Sequence, residues 1–186
     1  MIINDDTLLR DCIKGKSEAE YQLYKLTYSY LMSICIRYTR NEDRAKEVLN
    51  MGFHRILQQL DKYREKEVPF KSWIRAVMIN TLINEYHKER KHATRINYVE
   101  HYIEESDHSV INEAVRQLNV KEIYKLIASL PEMQQQVFNL YFIDGYKHRE
   151  IAELLKINEN TSKWYLTTAK DKLKEMIIAM EIIAKR

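Results

Sequence analysis

LPEMQQQVFNLYFIDGYKHREIAELLKINENTSKWYLTTAKDKLKEM, Leu130–Met176, is the stretch that decides how this chain reads. Pro131 opens a helix, because the N–H that proline lacks has no partner in a first turn. Val137, Leu140 and Tyr141 give that helix an apolar face, and Asp144-Gly145 ends it, since glycine accepts the left-handed cap conformation. A second helix, His148–Leu155, carries Ile151, Ala152, Leu154 and Leu155, followed by the turn Lys156-Ile157. Asn158 is a good N-cap for a third helix from Glu159 onward. Two short helices joined by a tight turn make a helix-turn-helix, whose second helix normally lies in the DNA major groove.

At about 100° per residue, with Leu166 placed at the core, Ser162, Ala169 and Leu173 share its side of the third helix. Asn160, Thr161, Trp164, Thr168 and Asp171 point the other way, with Lys163, Tyr165 and Thr167 on the flanks. Amides, hydroxyls, a cation and an indole on one face suit base edges, phosphates and thymine methyls. Packing of Trp164 against a neighbouring helix is the other reading of the same pattern.

Outward from this stretch, composition excludes more than it selects. Only 3 Gly and 2 Pro interrupt 186 residues, which favours long helices over strands. There is no GxGxxG and no GKS/T phosphate loop. The chain is 45% hydrophobic and 31% charged, as a folded protein is. A net charge of +3 is too small for a non-specific DNA coat. Its distribution is uneven: residues 86–95 carry +3, and residues 96–119 carry −4. The expected architecture is all-α: two small helical domains, residues 1–95 and 120–186, joined by an acidic linker, residues 96–119.

Cys12 and Cys35 form no CxxC and no disulfide framework, so a cytoplasmic, reducing setting is expected. No apolar run reaches the ~20 residues that span a bilayer, so no direct membrane insertion is expected. His101, Glu104, Glu105, Asp107 and His108 gather in the linker with no HExxH or cysteine partner, so no metal site is expected. No nucleophile motif appears, and the six histidines are scattered. The chain therefore reads as no enzyme, with no cofactor and no small-molecule substrate.

In the N-terminal half, Asp5–Ile13 reads as a short helix, and Ser17 as a cap with Glu20 at capping-box spacing. A long helix then runs to Tyr38, and Thr39-Arg40-Asn41 breaks it. Ala45, Val48, Leu49, Phe53, Ile56 and Leu60 recur every three or four residues through Glu42–Leu60. The opposite face bears Glu47, Asn50 and an exposed Met51, a candidate partner surface. Asp61–Val68 reads as a loop, and Pro69 starts a helix over Phe70–Lys91, anchored by Phe70, Trp73, Ile74, Val77 and Met78. That helix combines Lys71, Trp73, Arg75, Asn80, Asn84, His87, Lys88 and Lys91: cations to follow phosphates, planar and amide groups for exposed bases. A solvated end on an ordinary core helix is the competing reading. Asn112–Leu118 reads as a further short helix, and Lys121–Leu130 as an amphipathic one with Ile123, Tyr124, Leu126 and Ile127 inward.

Leu130–Leu166 resembles region 4 of RNA polymerase sigma factors of the extracytoplasmic-function (ECF) family, notably in Glu150-Ile151-Ala152 and Asn158-Glu159-Asn160-Thr161. Residues 42–63 and 68–90, EDRAKEVLNMGFHRILQQLDKY and VPFKSWIRAVMINTLINEYHKER, resemble region 2 of the same family, in the same order. The resemblance implies a subunit that binds core RNA polymerase, recognises the promoter −35 and −10 elements and promotes melting. It assigns −35 contact to Asn160, Thr161, Lys163, Trp164, Tyr165 and Thr168, −10 contact to the set on Phe70–Lys91, and polymerase docking to Glu47, Asn50 and Met51. It places the linker in the polymerase channel near the RNA path, and it adds an anti-sigma protein to polymerase and promoter DNA as an expected partner. Lys156 stands where glycine usually makes the turn, at a cost of about 1 kcal/mol if its backbone is left-handed. An ordinary helix-turn-helix regulator, and a sigma-like protein-binding adaptor without promoter activity, are the alternatives.

Overall fold

The computed structural model describes residues 6–63, 68–92 and 120–184, and every regular element among them is helical. They divide into two compact units, residues 1–95 and 96–186. The linker, with His101, Glu104, Glu105, Asp107, His108 and the expected helix Asn112–Leu118, lies outside the described residues.

Unit 1 is built on α2 (Ser17–Thr39), α3 (Glu42–Gln58) and α5 (Phe70–His92), with α1 (Asp6–Ile13) and α4 (Leu60–Tyr63) packed alongside. Leu23, Leu31 and Ile34 of α2 meet Leu49 and Ile56 of α3 and Ile74, Met78 and Ile79 of α5, all essentially inaccessible to water. Each such side chain contributes roughly 1.5–3 kcal/mol of transfer free energy. Gly52 lets α3 approach α5 closely: a Cβ there would meet Met78 Cε at 2.5 Å. Cys35 Sγ lies 3.4 Å from Met78 Sδ in the same core. Burial pushes the Cys12 thiol up to about 11 and the Cys35 thiol up to about 12, so neither forms thiolate readily.

Helix ends follow local chemistry, with three departures from expectation. Asn41 caps α3 by accepting the Arg44 N–H at 3.0 Å. Ser17 is not a cap; Lys16 holds that position and its side chain makes no capping bond. The expected loop after Leu60 begins with a helical turn, α4, because Leu60 is fully buried and draws the backbone back onto the core. Arg40 closes α2 in the left-handed conformation, φ 58.

Unit 2 comprises α6 (Val120–Ser129), α7 (Glu132–Phe138), a π-helical turn (Asn139–Ile143), α8 (His148–Leu155) and α9 (Glu159–Ala184). Ile127, Leu130, Val137, Leu140, Ile151, Leu155, Leu166 and Ala169 form its core. Tyr124 and Tyr141, expected on inward faces, are exposed instead, at 44% and 37%. The third departure explains the second of these. The π-turn widens the helix, with Asp144 N–H donating to Asn139 O at 2.9 Å, and rotates Tyr141 off the face that Leu140 holds. Gly145, φ +77, then reverses the chain.

Candidate nucleic-acid interface

The helix-turn-helix is α8, its turn and α9. Lys147 is the N-cap of α8, and a lysine side chain has no acceptor to offer the Glu150 N–H in the first turn. Only half a capping box forms: Glu150 Oε2 accepts the Lys147 N–H at 2.7 Å. Lys156 ends α8 at φ 56, ψ 46, the left-handed region. Asn158 caps α9, its Oδ1 accepting the Thr161 N–H at 2.6 Å.

On α9, Asn160 and Lys163 are exposed, and Thr161, Trp164 and Tyr165 are half-buried. The Trp164 and Tyr165 rings touch, 4.8 Å between centroids. The Lys163 ammonium pairs with Glu159 at 2.9 Å across open surface, an attachment weak enough for a phosphate to replace. Thr168 is half-buried; its hydroxyl bonds the Trp164 carbonyl at 3.0 Å and accepts from Gln134 Nε2 at 3.2 Å, so it is engaged with α7. Helical angle gave its side of α9 but not the helix that crosses there.

Two residues outside the expected set join α8 to α9. His148 Nδ1 lies 2.9 Å from Ser162 Oγ, and Ser162 is wholly buried. The Tyr141 ring stacks on the imidazole at 4.6 Å and 25°. Burial, then Lys163, lowers the His148 pKa, with Glu159 opposing. The available signal was Ser162 itself, a hydroxyl on the core side of α9 that needs a partner.

In unit 1 the expected −10 set does not share one face. At about 100° per residue, Lys71 and Arg75 fall opposite Asn80, Asn84 and His87. Accordingly, Lys71 Nζ sits over the Tyr30 ring of α2 at 4.7 Å, while Arg75 is half-buried. Asn80 and Asn84 instead line a cleft of about 330 Å³ with Val77 and Thr81 of α5, with Arg55 of α3 and with Gln59, which caps the end of α3. Arg55 Nη1 donates to Thr81 Oγ1 at 3.2 Å, which aims the guanidinium across that cleft. Arg55 was absent from the expected set because its contact with α5 is tertiary. Trp73, at 6% exposure, packs against Tyr63 and Phe70, 5.0 and 5.8 Å between centroids, as its place among the helix anchors implies. His87 is half-buried, Lys88 is exposed and tied to Glu85 at 2.6 Å, and the Lys91 side chain lies outside the described residues.

On α3, Glu47 and Asn50 are exposed, but Met51 is half-buried rather than exposed. Asn50 Oδ1 accepts from Tyr24 OH at 3.0 Å, and Glu47 pairs with Arg44 at 2.7 Å. Arg44 also reaches Glu85 at 3.3 Å and Glu89, fastening α3 to α5. Burial works to raise the Glu85 pKa, but Lys88 and Arg44 outweigh it, and the net shift is downward. Among the described residues no three metal-ligating side chains gather, and no helix is long and apolar enough to cross a membrane.

Residues 23–92 match the family described as Sigma-70 region 2, and residues 120–173 match Sigma-70, region 4. The ECF RNA polymerase sigma factor SigM of Bacillus subtilis (strain 168) is 23% identical over 158 residues, 84% of this chain and 91% of that protein. RNA polymerase sigma factor SigV of the same strain is 22% identical over 162 residues, 87% of this chain and 86% of that protein. A solved complex of the sigma factor RpoE with the anti-sigma factor NepR from Bartonella quintana shares the fold. Its TM-score is 0.52 at 16% identity, covering 84% of this chain and 95% of that one.

Proposed function

The chain belongs to the sigma-70 family, as an ECF sigma factor, and from that premise we propose how its two units share promoter recognition. The observation that carries the reading is the occurrence, in one chain and in order, of a region 2 helical body and a region 4 helix-turn-helix.

Unit 2 binds the −35 element as duplex. Asn160, Thr161, Lys163 and Trp164 meet base edges and phosphates, and Tyr165 flanks them. Unit 1 holds the −10 element once it is unpaired. Asn80 and Asn84, with Arg55 and Gln59, offer amide and guanidinium donors around a cleft that suits an unstacked base, while Lys88 and Lys91 follow the backbone. Lys71 and Arg75, on the other side of α5, serve a different stretch of DNA or none.

Glu47, Asn50 and Met51 lie on the face that docks on core polymerase. The acidic residues 96–119 occupy a basic channel of the enzyme, by charge complementarity. An anti-sigma protein is the expected inhibitor, as RpoE is held by NepR. The chain works in the cytoplasm beside the polymerase, and it supplies recognition rather than catalysis.

The decisive experiment mixes the chain with bacterial core polymerase on a library of promoter fragments. Initiation from discrete start sites that depends on both units is the expected result. A chain that never associates with core enzyme overturns the reading, and one that associates without initiating leaves the adaptor alternative standing in its place.

A further inference from the structure

We propose that His148 is a positioning residue for −35 recognition: bonded to Ser162 and stacked on Tyr141, it fixes the rotation of α9 on α8. The rotation decides which side chains of α9 face the base edges. This proposal rests on the reading that α9 enters the duplex.

The argument begins with what else holds the two helices together. Ile151 and Leu155 of α8 meet Leu166 and Ala169 of α9 through apolar contacts, and such contacts are non-directional. They resist separation of the helices far more than a small rotation. The Ser162 hydroxyl is different. It is fully buried on the inner face of α9, and His148 Nδ1 stands 2.9 Å from it. A hydrogen bond weakens steeply as its angle departs from linearity, so this one defines an azimuth.

The imidazole is itself held. Tyr141 leaves the π-turn and stacks on it at 4.6 Å, so three segments of unit 2 meet at one ring. Around it stand Glu159, Lys163 and Lys170 from α9, and Lys147 and Arg149 from its own helix end. Asn160, Thr161, Lys163 and Trp164 all lie within two residues of Ser162, so a rotation at Ser162 passes to them undamped. With side-chain tips about 5–6 Å from the helix axis, a turn of about 10° moves them about 1 Å. A shift of that size takes a base contact out of hydrogen-bond range.

The test uses the full chain assembled with core polymerase, on promoters carrying each single substitution in the −35 element. The readout is discrimination, the ratio of initiation on the best −35 sequence to that on its single variants. Ser162→Ala removes one oxygen; His148→Phe keeps a stacking ring without Nδ1. Each is expected to lower discrimination about five- to tenfold, the weight of one ordinary hydrogen bond. The double variant is expected to lose no more than either single one. His148→Asn, which restores a polar atom near the Nδ1 position, is expected to recover most of the ratio.

Unchanged discrimination in Ser162→Ala, or additive losses in the double variant, overturns the proposal; Ser162→Ala carries the test even if His148→Phe misfolds. Asn160→Ala and Lys163→Ala run alongside. If they weaken −35 binding while the His148 and Ser162 variants do not, the positioning role alone falls. If none has an effect, the assignment of α9 to the −35 element falls, and the proposal with it.

Discussion

Lys156 occupies the left-handed region, φ 56 and ψ 46, at the turn between α8 and α9. A side chain there costs roughly 1–2 kcal/mol, and glycine relieves that at an entropic cost of about 0.4–1 kcal/mol in the unfolded chain. Lys156→Gly is therefore expected to stabilise unit 2 by about 0.5 kcal/mol and raise its melting temperature by about 2–4 °C. Lys156→Ala should do neither, and equal melting of all three proteins would deny the strain. The turn was legible in advance because Asn158, a good N-cap, stands just beyond the apolar stretch that ends at Leu155. Trp73 was legible both as an anchor of its helix, with Phe70, Ile74 and Met78, and as an aromatic beside cations, and the sequence did not choose between them. Its burial depends on Tyr63, which the sequence leaves in an apparent loop. Trp73→Ala should cost unit 1 about 3–5 kcal/mol. Asn80→Ala, on an exposed cleft wall, should change melting by less than about 0.5 kcal/mol yet reduce permanganate reactivity of −10 thymines in the open complex. A −10 signal in Asn80→Ala as strong as in the unaltered protein would remove that residue from the site.

At the scale of elements, α3 and α5 are joined by a polar fastening as well as by Gly52 and Met78. Arg44 bridges Glu47, Glu85 and Glu89, and Lys88 completes the partners of the nearly buried Glu85. The Glu85 pKa is lowered in the fold, so its contribution to stability is present above the unfolded carboxylate value and is lost as pH falls through the folded one. Melting of unit 1 should thus decline below about pH 4.5, and Glu85→Gln should flatten that decline. Arg44→Ala should cost about 1–3 kcal/mol near neutral pH by leaving Glu85 with Lys88 alone. A pH profile identical in Glu85→Gln and the unaltered protein would show that the carboxylate is not fastened in solution. Periodicity revealed where these helices run, because Gly, Pro and Asn punctuate them. Three features have separate causes. Lys71 and Arg75 lie opposite Asn80 by helical angle alone, which the sequence already carries. The bond from Gln134 to Thr168 depends on how α7 crosses α9, which periodicity does not give. The π-turn moved Tyr141 outward, since one inserted residue shifts every later side chain by about 100°.

For the whole molecule, charge is the quantity that ties the units to one task. The net charge is +3, and on α9 the ammonium of Lys163 already has an acidic neighbour in Glu159, so unit 2 alone neutralises few phosphates. With about three phosphate contacts the expected salt exponent is about −2.7, and a rise from 50 to 200 mM salt weakens binding of a −35 duplex roughly 40-fold. On core polymerase the −10 contacts of unit 1 and those of the enzyme add to the same complex, and the second contact becomes intramolecular. The exponent should then steepen to −6 or beyond for about seven or more phosphates, which is a loss of at least ~10³ over the same salt range. The measurement is promoter affinity against salt, for the free chain on a −35 duplex and for the assembled enzyme on the full promoter. Equal exponents would mean that unit 1 and the polymerase add no phosphate contacts. A steep exponent in the free chain would mean that the protein binds DNA strongly without its enzyme, against the moderate charge that its sequence carries.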